Sequence, residues 1–264
     1  MRKGVLIFSF VSLGFLMVLG LPRYFDLKGG TKMTEEIKNL FGYVLGDKEI
    51  AFQYLGYSGV ILKTSEGAII IDPAERLRTE EMKSLTPGSV NLILFTHNHY
   101  DHFNHGSTVS LFRTTGAPLL AEPAVAADLR NAIPKDKLSV ASVEELYKKD
   151  NISIKAIKGT HVGPILLYHI SIGKITIFHG GDSDYVPLQG LKADVAFLPA
   201  GEPSPTASPQ AAFRMASELE PKVVVAIHGS QRQNKELENL IHQKWPDLKV
   251  IIPAPYSINR VKLD

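Results

Sequence analysis

Residues 92 to 105 read LILFTHNHYDHFNH, so four of the chain's nine histidines, and an aspartate, follow directly on an apolar run. Neutral imidazole nitrogen and carboxylate oxygen are good ligands for zinc and related divalent ions. A structural zinc site usually recruits cysteine, which this chain lacks. A catalytic metal site is the better reading. His97 and His99 stand two positions apart and point the same way from a locally extended loop, while Asp101 and His102 continue past the bend, so one tight loop can serve two metals. A dinuclear site needs further ligands, and isolated ones follow other strands: His161 in IKGTHVGP, Asp182 in ITIFHGGDSDY and His228 in VVVAIHGS. Glycine close to each allows the backbone to approach where a Cβ would obstruct.

The elements that must position these residues alternate along the chain. IAFQYLG, GVILKTS and AIIIDP are short strands punctuated by Gly and Ser, and VNLILF is a strand buried on both faces that ends one residue before His97. Beyond it, 122–133 and 142–149 read as helices, 151–159 and 165–180 as strands, the latter turning at Ile172-Gly173-Lys174. ADVAFLPA, KVVVAIHG and KVIIPA are further strands, separated by helices over 208–219 and 234–245. Two sheet-rich halves with outer helices suggest a layered α/β sandwich. The Pro-rich stretch PAGEPSPTASP reads as a surface lip near the site.

Composition narrows the function. Lys plus Arg total 29 against 27 Asp plus Glu, so a formal charge of +2 supplies no basic field for nucleic acid, and the expected partner is a small-molecule substrate. Without cysteine there is no disulfide, thiolate ligand or cysteine nucleophile. Arg2 and Lys3 precede an uncharged run from Gly4 to Leu21, long for a signal-peptide core and close to a bilayer's thickness as a helix. Residues 1–22 are therefore read as a membrane anchor that leaves the catalytic body outside the cytoplasm, the alternative being a cleaved signal and a secreted enzyme. Residues 23–49 read as a linker with a short helix over 33–42, and 50–264 as the hydrolase domain.

The run His97-Asn98-His99-Tyr100-Asp101-His102 resembles the His-x-His-x-Asp-His signature of the metallo-β-lactamase superfamily, and the order of His161, Asp182 and His228 is similar too, over about Ile50 to Pro255. The resemblance implies a four-layer αβ/βα sandwich and two divalent cations, with zinc, manganese and iron all suited to the ligand set. It implies that His97, His99 and His161 hold one metal, that Asp101, His102 and His228 hold the other, and that Asp182 bridges. Asp72, at the end of the opening hairpin, would support the metal loop from behind. The chain looks closest to the branch of small metal-dependent hydrolases that includes ascorbate-phosphate lactonase relatives, with Gly56-Tyr57-Ser58 where that branch often has Gly-His-Ser. The implied activity is water attack on an ester, lactone, amide or phosphodiester, Asp101 orienting the nucleophile. Alternatives are a membrane-tethered metal-binding sensory module without turnover, or a phosphodiesterase acting on a lipid or nucleotide. His179 reads as a core histidine or as support behind the metals, His105 as a residue at a helix start, Tyr100 as packing for its loop, and Trp245 as a core anchor.

Overall fold

The computed structural model describes residues 27–77, 79–143, 145–202 and 206–263. The apolar runs become strands in two sheets. The first sheet begins with the meander β1 (Glu49–Gly56), β2 (Gly59–Thr64) and β3 (Gly67–Ile71), and continues in parallel through β4 (Leu92–Phe95), β5 (Leu119–Ala121) and β6 (Leu138–Val140). The second contains β7 (Leu146–Lys149), β8 (Ile152–Lys158), β9 (Leu166–Ile172) and β10 (Ile175–His179), all antiparallel. β11 (Val195–Pro199), β12 (Val223–Ile227) and β13 (Lys249–Ile251) then extend it in parallel. A final strand, β14 (Ile258–Lys262), returns to pair antiparallel with β1, so each sheet has seven strands.

The sheets face each other across a core in which alternate residues of each strand interdigitate, among them Phe52, Leu62, Leu94, Ile170 and Val225. Phe52 and Phe197 meet there edge to face, ring centroids 5.1 Å apart, a contact worth about 0.5–1.5 kcal/mol beyond its buried area. The opposite face of the first sheet is covered by α1 (Leu27–Gly42), α2 (Thr79–Met82), α3 (His105–Thr115) and α4 (Pro123–Leu129). That of the second sheet is covered by α5 (Pro209–Leu219) and α6 (Gln231–Lys244). Strands such as β4 and β12 are therefore sandwiched on both sides, which is why their sequences are apolar without alternation.

Several expectations change. The helix expected over 33–42 begins at Leu27, and its Ile37 and Leu40 are fully buried. Lys63 Nζ holds its carboxyl end to the sheet by donating to Phe41 O and Tyr43 O, 2.6 Å each. The helix expected over 142–149 is absent from its described residues. Leu146–Lys149 instead forms β7, alternating exposed and half-buried residues and folding back on β8 through a turn where Asp150 takes φ 50°. β14 went unpredicted because Ile258-Asn-Arg-Val-Lys is mostly polar, as suits an edge strand. The anchor or signal read over residues 1–22 lies outside the described residues. Among those described, no helix is long and apolar enough to cross a membrane.

Candidate metal centre

The loops that leave β3, β4, β8, β10 and β12 carry Asp72, the His97–His102 run, His161, Asp182 and His228. Within each sheet these strands run the same way, so their carboxyl ends open on one rim, and the two rims face each other. All seven sequence-predicted ligands converge there. His97, His99, His161 and Asp182 form one group, and Asp101, His102 and His228 another, with candidate donor atoms within 4.8 Å of one another inside each group. Asp182 Oδ2 lies 3.6 Å from His161 Nε2, 3.4 Å from His228 Nε2 and 3.9 Å from His102 Nε2, so one carboxylate reaches both groups. Asp101 Oδ2 stands 3.8 Å from His228 Nε2 and 3.7 Å from His102 Nε2. His161 Nε2 and His99 Nδ1 are 3.1 Å apart.

The residues fit divalent cations on structural grounds. The Nε2 atoms of His97, His102 and His228 are buried and have no hydrogen-bond partner, although the His102 ring lies 4.1 Å from that of His97 and 5.6 Å from that of His228. An orphaned buried nitrogen costs about 1–3 kcal/mol, and three converging on one pocket call for a ligand.

Asp72 explains how those lone pairs come to face inward. Its Oδ1 accepts from Thr96 N at 2.8 Å, and its Oδ2 accepts from Thr96 Oγ1 at 2.5 Å and from His102 Nδ1 at 3.0 Å. A carboxylate only accepts, so His102 carries its proton on Nδ1 and leaves Nε2 free. Thr96 spends its single hydroxyl hydrogen on Asp72, so Thr96 Oγ1, 3.0 Å from His97 Nδ1, must accept from it, and His97 Nε2 is free as well. Asp72, His97 and His102 also make a tight acid–imidazole cluster. Its contacts lie on the Nδ1 side, so Asp72 is an orienting acceptor.

The shifts differ from one ligand to the next. Burial, then the neighbouring imidazoles led by His102, drives the His97 pKa well below the ordinary range, and burial followed by His161 lowers that of His99. Burial opposes a charged His102, yet the hydrogen bond and charge of Asp72 outweigh it and raise its pKa. Burial acts to raise Asp101, but the neighbouring imidazoles of His228, 3.8 Å away, and His102 prevail and bring it down to about 2. Burial is the main cause of the raised pKa of Asp182, against the pull of His228, His102 and His161.

Residues that sequence patterns did not mark complete the frame. Thr206, in the Pro-rich stretch, donates to Asp182 Oδ1 and so turns Oδ2 toward the imidazoles. Ser183 Oγ accepts from Thr160 N at 2.9 Å and ties the Asp182 turn to the His161 loop. Gly201 passes so close to His228 that a Cβ there would sit 1.9 Å from His228 O. His179 is fully buried and satisfied: Nε2 donates to Ser58 O at 2.9 Å and Nδ1 accepts from Gly181 N at 3.3 Å. Burial lowers its pKa to about 4, and it joins the β1–β2 hairpin to the Asp182 turn. His105 opens α3 and pairs with Asp128 at 2.5 Å, away from the cluster. Tyr100, expected to pack its loop, is 83% exposed, and Trp245 is half-buried at the end of α6 against Phe213.

Residues 51–228 match the model of a beta-lactamase superfamily domain. A UPF0173 metal-dependent hydrolase of Thermus thermophilus is 31% identical over 195 residues, which cover 68% of this chain and 83% of that protein. One of Pyrobaculum islandicum is 27% identical over 226 residues, covering 80% and 94%. A solved metallo hydrolase from Ignicoccus hospitalis superposes with a TM-score of 0.66 at 20% identity, over 82% of this chain and 100% of that one, which shows a shared fold.

Proposed function

The chain belongs to the beta-lactamase superfamily and is a metal-dependent hydrolase, and from that premise we propose that it cleaves an ester, lactone, amide or phosphodiester bond of a small molecule at a dinuclear centre. The reading is carried by the three orphaned Nε2 atoms, which come from strand ends in both sheets and face two carboxylates. His97, His99 and His161 would hold one cation and Asp101, His102 and His228 the other, with Asp182 shared, and zinc, manganese or iron suits such nitrogen and oxygen donors. When bound, such cations lower the pKa of water and polarise the oxygen of the scissile group.

The protein's own residues do the rest. Asp72 and Thr96 fix the tautomers of His97 and His102. Thr206 fixes the Asp182 carboxylate. Asp101, partly open to solvent beside His228, accepts a hydrogen bond from the attacking water and orients it. The uncharged run from Gly4 to Leu21 supports an enzyme tethered with its catalytic body outside the cytoplasm. Recovery of native protein with Met1 intact in the soluble fraction after membranes are pelleted would rule out that tether and a cleaved signal alike.

The test of the hydrolytic reading loads purified protein with zinc, manganese or iron in parallel and assays ester, lactone, amide and phosphodiester probes with metal content measured. Asp101→Ala and His99→Ala are expected to lose at least about a hundredfold in turnover, about 2.7 kcal/mol of barrier, with melting temperature preserved. Full activity in either variant removes that residue from the mechanism.

A further inference from the structure

A cleft of about 460 Å³ opens on the His228 side of the centre, lined by Tyr54, Tyr57, Arg76, His228, Ser230 and Tyr256 among others. Three of these, Tyr57 (φ 50°), His228 (φ 53°) and Tyr256 (φ 64°), are held in the left-handed backbone region that side chains rarely adopt. Such conformations persist only where the surroundings impose them, and they gather at ligand sites. The contacts that impose them are visible. Tyr57 O accepts from His228 N at 3.0 Å and from the Tyr54 hydroxyl at 2.9 Å, and Tyr256 N donates to Tyr54 O at 2.6 Å.

Arg76 stands at the far side of this cleft. Its guanidinium carbon lies 5.1 Å from the Tyr57 ring centroid, and that ring lies 5.3 Å from the ring of His228. Cation, aromatic ring and the His228 imidazole thus form a ladder that runs from the cleft to the centre. Arg76 is placed by the turn that follows Asp72: Arg76 N donates to Pro73 O at 2.9 Å, and Ala74 N donates to His102 O at 3.1 Å. Among the described residues it has no ion-pair partner, because the adjacent Glu75 is engaged by Asn104 Nδ2 at 2.6 Å. No carboxylate belongs to the cleft's lining. A half-buried guanidinium with unused donors, stacked on an aromatic ring, matches a planar or tetrahedral oxyanion.

We infer that this cleft receives the substrate and that Arg76 selects one bearing an oxyanion, carboxylate or phosphate, at the end remote from the bond that is cleaved. The inference rests on the hydrolase reading above. It assigns Arg76 to substrate recognition, so its loss falls on binding.

Calorimetric titration of the zinc-loaded full chain tests it without turnover. Terephthalate is compared with benzoate, biphenyl dicarboxylate with biphenyl carboxylate, and phosphonobenzoate with benzoate. In wild type at least one double anion binds about tenfold or more tighter than its single-anion counterpart, the gain one charge-assisted hydrogen bond provides, and the better of terephthalate and phosphonobenzoate distinguishes carboxylate from phosphate. Arg76→Gln erases the preference, read as the ratio of the two affinities within each pair. Arg76→Lys, which keeps the charge without the planar fork, retains part of it and serves if Arg76→Gln does not fold. Equal wild-type affinity within every pair, or a preference that survives Arg76→Gln, overturns the inference. Preference lost in Arg76→Gln with no probe hydrolysed sustains the anion site and refutes the proposed ester, lactone, amide or phosphodiester cleavage instead.

Discussion

Replacing Asp72 with asparagine keeps volume and shape but turns one acceptor into a donor at a fully buried position. The backbone is not the variable, since Asp72 sits at φ 44° and asparagine tolerates the left-handed region as well as aspartate does. The amide oxygen can still accept from Thr96 N, but the amide nitrogen then faces the Thr96 hydroxyl and the His102 Nδ1 proton, both donors in the native protein. If Thr96 turns to accept, its hydrogen points at His97 Nδ1, and if His102 yields its Nδ1 proton, that proton moves to Nε2. In both rings the lone pair leaves the face that would bind metal. If neither ring adjusts, each unpaired donor costs about 1–3 kcal/mol of stability. Losing such an orienting partner typically weakens a metal about 10- to 100-fold, or about 1.4–2.7 kcal/mol. Because the single carboxylate orients one imidazole in each ligand group, the affinities of both proposed metal sites are expected to fall together. Competitive titration against a chromophoric chelator reads the two affinities, and ring-nitrogen chemical shifts read the tautomers. Wild-type affinity at both sites, or a loss confined to one, would refute the shared-carboxylate argument.

Gly201→Ala places a methyl group against His228 O and should shift the His228 backbone, costing about 1–3 kcal/mol, with metal affinity falling as the melting temperature does; an unchanged melting temperature and affinity would mean the loop yields freely. Asp194, between β10 and β11, offers a pH test at a group that belongs to none of the ligand clusters. It accepts from Thr176 N and Thr176 Oγ1 at 2.8 Å each and pairs with Lys222 at 3.3 Å. Burial alone would raise its pKa, but these bonds outweigh it and hold the pKa below the ordinary 3.8. A depressed folded-state pKa contributes stability that is complete above the unfolded value and is lost as pH falls through the folded one. Asp194→Ala should therefore be less stable by about 1–3 kcal/mol near neutrality, the deficit shrinking below about pH 4 in denaturant melts. A deficit that stays constant through that range would assign the cost to packing.

The sequence made some of this architecture readable because local and tertiary demands agreed. β4 and β12 are continuous apolar runs buried on both faces, and α5 follows Ser208, whose hydroxyl caps it, whereas α6 starts at Gln231 behind its Ser230 cap, three residues ahead of the expected start at 234. The histidine run is visible because chelation needs rare residue types at fixed spacing. Thr96, Thr206 and Arg76 form no pattern along the chain, and their roles come from partners 24 residues away in the two hydroxyl–carboxylate pairs, or from a ring across the cleft. Leu146–Lys149 misleads for the opposite reason. Its composition suits a helix, and only pairing with β8 makes it a strand.

The division of the donors between the sheets has a mechanical corollary. Four stand beyond β4 in one sheet, and three stand beyond β8, β10 and β12 in the other. Bound cations would act as a rivet through the sandwich, and any sliding of one sheet over the other would change the coordination distances directly. Trimming a side chain such as Phe197 in the middle of that seam should therefore loosen the grip on metal from well inside the protein, with no ligand touched.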